Sequence, residues 1–267
     1  MAVSAKDVMQ LRQKTGLGMM ECKKALEETH GDADAAIQLL RERLGKKMEE
    51  RADRSAAEGV IAAAVDAGAA AMVELNTETD FTARNEAFVE AGDKVAQIAL
   101  AKSDGPVEAD DQINQVIEHI RITTKENASY RRGVRLSGEK VGLYVHHNRQ
   151  IGVIVAAEGD VDDATLTGVC QHIAAHVPTP LAVDEAGLPE DQKAQALEQA
   201  KQEAIDSGKP ENIAEKIAQG KYDKWVAENT LLGQQYVKDM EGKSTVGDQL
   251  KGGKITDFAR YVVGVDA

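Results

Sequence analysis

Hydrophobic and polar positions along the chain fall into zones of different period. Residues 1–44 read as three short helices. Ser4 is the expected N-cap of the first, with Val8 and Leu11 on one face, and Thr15-Gly16 closes it, the glycine supplying the left-handed position beyond the last turn. A second helix is expected over Glu21–Thr29. His30-Gly31-Asp32 is a turn, and Ile37, Leu39, Leu40 and Leu44 form a third apolar stripe. Three such helices bury only a small core, which suits docking better than catalysis. Residues 45–57 are mixed in charge with almost no large apolar side chain, the pattern of a linker or a solvated helix.

From residue 58 the period shortens. Gly59-Val60-Ile61 opens a strand, Asp66-Ala67-Gly68 is a hairpin signal, and Ala71 to Asn76 is a second strand. A polar stretch, Thr77 to Asn85, precedes a helix with Phe88, Val89, Val95, Ile98 and Leu100 facing inward. Residues 106–136 read as mostly helical, from Ile113, Val116, Ile117 and Ile120. Then the pattern returns: strand Val141–Val145, turn at His147-Asn148, strand Ile151–Ala156, acidic turn Glu158-Gly159-Asp160, and helix Leu166–His176. Strand, hairpin, strand, polar turn, helix thus occurs twice, about 80 residues apart, implying two related α+β subdomains. Narrow stripes at Leu197, Ala200, Ala204 and Ile205, and at Ile213, Ile217 and Trp225, flank Ser207-Gly208-Lys209-Pro210 and predict an antiparallel helical hairpin of coiled-coil type. Short β-like runs follow at Gln235-Tyr236-Val237 and Ala259–Val263. The expected fold class is α+β with antiparallel sheets. The expected units are a three-helix module (1–45), a linker helix (46–57), a core N-subdomain (58–137), a core C-subdomain (138–188 with 228–267) and an inserted coiled-coil hairpin (189–227).

Composition narrows the function. Lys+Arg number 32 against Asp+Glu 45, a net charge of −13. That balance counts against nucleic acid and against anionic membrane surfaces, both of which select clustered cations. No apolar run approaches the ~20 residues of a membrane span, and Met1–Lys14 has neither the apolar segment of a secretory signal nor the composition of a transit peptide. Cys22 and Cys170 make no disulfide framework, so a reducing cytoplasm is the expected compartment. Aromatics are 3% of the chain, so the cores must rest on Ala, Val, Ile and Leu, and an aromatic in a polar context stands out.

The usual catalytic and nucleotide-binding signatures are missing. The sequence has no GxxxxGK[ST], no GxGxxG after a strand, no GxSxG and no CxxC. Cys170, His172 and His176 form the one metal-like pattern, the histidines four apart on an expected helix. The plainer reading has Cys170 packed as a small hydrophobe and the histidines partly exposed. His146-His147 falls in a hairpin turn. Thr79-Asp80-Phe81-Thr82 is the sharpest feature: Phe81 lies in a polar loop just after a strand, either folding back as a core residue or standing out as an aromatic wedge beside Asp80. Of Met19 and Met20, consecutive at a helix start, one is expected to face the core and the other solvent.

Together these features resemble the elongation factor Ts family, the guanine-nucleotide exchange factors of bacterial translation. Leu11 to Leu26 (LRQKTGLGMMECKKAL) is similar to that family's N-terminal signature and Asn76 to Phe81 (NTETDF) to its central one. Tyr144-Val145-His146 with Arg149–Val153, Gly208–Ile217, and Gln235–Asp239 follow in the family's order. Thr82 and Gln235 depart from it, standing where the family usually has Val and Pro.

The resemblance implies a three-helix module of ubiquitin-associated type, two α+β core units and a protruding coiled coil. It also implies a partner, elongation factor Tu in its GDP-bound and nucleotide-free states, which itself holds the GDP and Mg²⁺. The chain then needs no cofactor and no catalytic residue. Thr79, Asp80, Phe81 and Thr82 match the segment that dislodges the partner's Mg²⁺. Arg12, Met19, Met20, His146, Tyr236 and Val237 match other contacts. Whether the coiled coil or C-terminal strands pair two copies within the complex stays open. An adaptor docking through the three-helix unit and hairpin, and a metallo-hydrolase built on Cys170, His172 and His176, are the competing classes.

Overall fold

Ser4 caps the first helix as its sequence predicts, its hydroxyl accepting from the Asp7 amide at 3.2 Å while the Asp7 carboxylate accepts from the Ser4 amide. The computed structural model describes residues 3–49, 54–206, 208 and 210–265. Three helices, α1 (Ala5–Thr15), α2 (Met19–Glu28) and α3 (Ala33–Glu49), converge on Leu11, Leu17, Cys22, Leu26, Leu40 and Leu44. Their core is completed from outside by Ile122 of α6 (Asp111–Thr124), so the unit leans on the rest of the chain. The charged segment expected over 46–57 begins as the end of α3, and residues 50–53 lie outside the described residues.

The first α+β unit starts with the hairpin β1 (Glu58–Asp66) and β2 (Ala69–Thr77), paired from Glu58↔Thr77 to Asp66↔Ala69 around the predicted Gly68 turn. A short helix α4 (Asp80–Ala83) leads into α5 (Glu86–Leu100). Phe88, Val95 and Ala96 of α5 share a buried cluster with Val60, Val73 and Leu75 of the sheet and Ile113, Ile117 and Ile120 of α6.

The expectation of a mostly helical 106–136 is corrected here. Only α6 is helical, and Ser129–Ser137 forms β4, which pairs with β2 and with the two-residue β3 (Gly105–Pro106) in the order β1-β2-β4-β3. Arginines at 131, 132 and 135 hid the strand, because an interior strand is expected to be apolar. The structure employs all three in contacts: Arg132 Nε donates to the fully buried Glu74 carboxylate at 2.8 Å, Arg131 Nε lies 3.8 Å from the same carboxylate, and Arg135 Nε donates to the Leu100 carbonyl at 2.9 Å.

The second unit repeats the plan with β5 (Lys140–Val145), β6 (Ile151–Glu158), helix α7 (Asp163–Ala175) and a third antiparallel strand β7 (Lys254–Val262), ordered β5-β6-β7. The sheets face each other through Ile61, Met72 and Leu136 on one side and Ile154 and Ala156 on the other. Gly152 permits this approach: a Cβ there would lie 2.4 Å from Ile61 Cγ2 and 2.8 Å from Met72 Sδ.

Between α7 and β7 the chain throws out the predicted antiparallel helix pair, α8 (Glu190–Asp206) and α9 (Glu211–Asn229); Ser207 and Lys209 of its turn lie outside the described residues. Its seam is alanine-rich, with Ala200, Ala204 and Ala218 buried, while Ile205 and Ile213, expected inside, are exposed near the tip. Gln235-Tyr236-Val237 is not a strand. A single bridge, Gln235↔Thr245, spans a turn held by Asp239, whose carboxylate accepts from the amides of Glu241, Lys243 and Ser244.

Candidate functional site: an exposed aromatic on a clamped short helix

Phe81 is 83% exposed, so it does not fold back as a core residue. Geometry explains the posture. Residues two apart on a helix point to nearly opposite sides, and Ala83 is buried in the cluster beneath α4, so Phe81 faces out. Thr79 caps α4, its hydroxyl accepting from the Thr82 amide at 3.3 Å and donating to Glu126 Oε1 at 2.7 Å. Glu126, in the turn between α6 and β4, also accepts from the Thr79 amide at 3.1 Å and the Thr77 hydroxyl at 2.9 Å through Oε2. Partial burial acts to raise the Glu126 pKa, but hydrogen bonds from Thr79, Thr82 and Thr77 outweigh it and hold the carboxyl below its ordinary range. Next in the turn, the Asn127 amide donates to Glu78 Oε1 at 2.7 Å, and Arg54 Nη1 lies 3.1 Å from Glu78 Oε2.

Asp80 pairs with Arg84 at 3.2 Å, one helical turn on. Both line a cleft of about 530 Å³ with Glu58, His147, Asn148 and Arg149. The structure therefore brings the Asp80-Phe81 segment beside the β5–β6 turn that carries His146, two features more than 60 residues apart in sequence. His146 is half-buried; its Nδ1 is 2.6 Å from the Tyr144 hydroxyl and its ring 4.3 Å from that of His147. The turn is tied to the first unit by Arg149, which grips Asp93 at 2.7 and 3.1 Å, and by Gln150 Nε2 donating to the Gly59 carbonyl at 2.9 Å.

The other matched residues lie elsewhere. Arg12, Met19 and Met20 are exposed on α1 and α2. That corrects the expectation that one methionine would face the core: Leu17 fills that position ahead of the helix, and Cys22, Ala25 and Leu26 take the inward face of α2. Tyr236 is half-buried, its ring stacked on His172 with centroids 6.0 Å apart and burial pushing its pKa up, whereas Val237 is exposed beside it.

The Cys170, His172 and His176 pattern has a structural explanation. Cys170 is buried in the second unit's core, and burial pushes its thiol up to about 12. His172 is fully buried rather than partly exposed; Nε2 meets Gln234 Oε1 at 3.0 Å and Nδ1 accepts from the Val237 amide at 3.2 Å. Burial lowers its pKa, leaving a neutral ring with both nitrogens engaged. Among the described residues no cluster of three His, Cys, Asp or Glu side chains is placed to hold a metal ion, and no helix is long and apolar enough to cross a membrane.

Glu126 and Arg84 were missed by sequence reasoning. Glu126 lies 47 residues from Thr79, and nothing in its local pattern marks it. Arg84 had a usable signal, the i, i+4 spacing from Asp80 on a helix.

The family model described as "Elongation factor TS" matches residues 78–265, a span that includes the clamped α4, the β5–β6 turn and the helical hairpin. Over 99% of its length the chain is 43% identical to elongation factor Ts of Alkalilimnicola ehrlichii and 42% identical to that of Thioalkalivibrio sulfidiphilus, covering 93% of each relative. Against elongation factor Ts of a Psychrobacter species the figures are 40% identity, 98% of this chain and 91% of the relative. With similarity running through both α+β units, the exposed aromatic of the first included, the chain belongs to the elongation factor Ts family.

Proposed function

We propose that this chain is the guanine-nucleotide exchange factor of elongation factor Tu, working in the cytoplasm on the GDP-bound state and releasing it for GTP during translation elongation. The observation that carries the reading is Phe81: a scarce aromatic, 83% exposed, on a short helix held by three hydrogen bonds to one carboxylate. A rigid, exposed aromatic is what an interface anchor needs, because little conformational entropy is lost on docking. Phe81 and Asp80, framed by Thr79 and Thr82, enter the partner's GTPase domain and dislodge its Mg²⁺. The phosphates lose the cation that neutralised them, and GDP leaves. By reciprocity, a factor that binds the nucleotide-free partner more tightly weakens GDP binding by the same free energy.

In this reading the three-helix unit over 1–45 docks through Arg12, Met19 and Met20, His146 extends the contact beside the wedge, and Val237 with Tyr236 touches a separate part of the partner from the C-terminal unit. The chain supplies no catalytic group or cofactor of its own. Nucleic acid and membrane are not its targets, and pairing of two complexes through the hairpin or C-terminal strands is compatible with it.

The test is release of labelled GDP from elongation factor Tu with and without the chain, across Mg²⁺ concentration. Phe81→Ala should fold normally and slow exchange. Wild type and mutant should converge as chelator removes Mg²⁺, because the step that Phe81 performs is then unnecessary. Equal acceleration by both at all Mg²⁺ levels would place the effect away from the metal.

A further inference from the structure

We infer that Glu126 is the positioning residue of the wedge: its carboxylate, delivered by the α6–β4 turn, holds α4 in the posture that presents Phe81. This deepens the exchange reading above and rests on it. The contacts come from one side chain. Thr77 Oγ1 at 2.9 Å and the Thr79 amide at 3.1 Å donate to Oε2, and Thr79 Oγ1 donates to Oε1 at 2.7 Å. The same Thr79 hydroxyl caps α4 by accepting from the Thr82 amide, so Glu126 orients the cap as well as the strand end before it.

A four-residue helix has too few internal hydrogen bonds to stand alone. Among those of α4, the Ala83 amide reaches the Thr79 carbonyl and the Arg84 amide the Asp80 carbonyl, each at 3.1 Å. Tertiary clamping must supply the rest. The clamp is charge-assisted, the stronger class of hydrogen bond, and the hydrogen bonds that outweigh burial keep the carboxylate ionised.

The turn delivering Glu126 is itself fixed. Lys125 adopts the left-handed conformation (φ 61°) that ends α6, its amide bonded to the Arg121 carbonyl at 2.9 Å. Asn127 Oδ1 accepts from Arg121 Nη2 at 2.7 Å while its amide holds Glu78. Glu126 therefore comes from a rigid base, the condition for positioning another group.

The experiment compares Glu126→Ala, Glu126→Gln, Phe81→Ala and the Phe81→Ala/Glu126→Ala double variant. It reads thermal midpoint, amide hydrogen exchange, and nucleotide release from elongation factor Tu at saturating factor. Loss of the charge-assisted clamp is expected to raise amide exchange at Thr79, Thr82, Ala83 and Arg84 about tenfold in Glu126→Ala, with α5 and α6 unchanged. The saturated release rate should fall by about the same factor at an unchanged half-saturating concentration. Glu126→Gln, which keeps the shape and one acceptor oxygen but loses the charge and the second acceptor, should recover only part of both.

In the double variant the second substitution should add almost nothing, since a positioning residue has no function once the positioned ring is gone. Unchanged protection of α4 in Glu126→Ala would overturn the proposal, as would equal slowing by Glu126→Ala with and without Phe81. If Phe81→Ala alone leaves release at the wild-type rate, the wedge reading fails instead, and the amide exchange still decides whether Glu126 sets the posture of α4.

Discussion

The two α+β units are built on one plan and differ where the second strand hands over to its helix. In the second unit the link from β6 to α7 turns through Gly159 and places Val161, 2% exposed, in the core; Asp162 then caps α7, accepting from the Thr165 amide at 2.7 Å. In the first unit the link from β2 to α5 is longer, winds into α4, buries only Ala83 and leaves Phe81 in solvent. The same topological position is thus a packing element in one copy and a projecting one in the other. The length of a connection is thermodynamically cheap to change, and loops held on a rigid scaffold carry contacts that a core position cannot. A second difference follows the same logic. Between helix and third strand, the first unit has α6, which buries one face through Ile113, Val116, Ile117 and Ile120, while the second has the α8–α9 hairpin, after which the chain returns to the core at Leu231.

The comparison is broken most severely by exchanging roles within one segment. Phe88, fully buried on α5, lies seven residues beyond Phe81. Phe88→Ala should cost about 3–5 kcal/mol of folding stability through lost burial and the cavity left behind, read as a large fall in the denaturation midpoint. Phe81→Ala should stay within about 0.5 kcal/mol of wild type in the same measurement, its effect confined to nucleotide release. Comparable destabilisation by both would mean that Phe81 packs in solution. Next in size is Val161, the second unit's counterpart in position. Val161→Ala should cost about 2 kcal/mol and leave saturated release untouched, so a slowed release at full folding would show that both links serve the partner.

The hairpins, the helix over Phe88–Leu100 and the repeat were legible because apolar runs and turn chemistry agree locally: Gly68 sits at φ 91° in a two-residue turn between two largely buried apolar strands. β4 was not legible, since its arginines are satisfied by partners distant in sequence: for Arg132, Glu74, 58 residues before it, and the carbonyls of Val262 and Val265, 130 and 133 residues after it; for Arg135, the Leu100 carbonyl, 35 residues before it. The candidate site divides in the same way. Phe81 stood out against a chain poor in aromatics, but its support by Glu126 and its neighbourhood with the β5–β6 turn exist only once the sheets have paired and packed. Around His172 the plainer reading holds for Cys170, which packs as a small hydrophobe, and fails for the exposure of the histidine, whose ring is recruited into a core that sequence could not assemble.

That buried ring should give the two units different responses to acid. His172 is depressed by burial, with Gln234 opposing and His176 adding to the depression. A base depressed in the folded state binds its proton more readily when unfolded. Its contribution to stability is therefore complete above the ordinary 6.5 and lost progressively as pH falls through that value toward the folded pKa. Amide protection of α7 should weaken relative to α5 as pH is lowered from about 7 to 5, a gradual effect smaller than either core truncation. His172→Gln should flatten the difference. Parallel loss in both helices would assign the acid sensitivity to some group common to the two units.

The smallest expected effect tests whether docking and release are separate tasks. Met20 is 63% exposed on α2, remote in sequence from Phe81, and belongs to neither α+β core. Met20→Ala removes flexible apolar contact area and nothing else, so folding should change by less than about 0.5 kcal/mol. If the three-helix unit only holds the partner, the contact is equally present before and during GDP departure. Its loss raises the half-saturating concentration by about two- to fivefold, a fraction of the 1.4 kcal/mol that makes tenfold, and leaves the saturated rate alone. Lys125→Ala should do less still. Its ion pair with Glu21, 3.0 Å between α6 and α2, joins side chains 49% and 39% exposed, a class worth about 0–1 kcal/mol and screened by salt. A saturated rate that falls in Met20→Ala at an unchanged half-saturating concentration would show that the three-helix unit and the wedge act as one body on the partner, with Lys125 and the Glu126 turn as the short path between them.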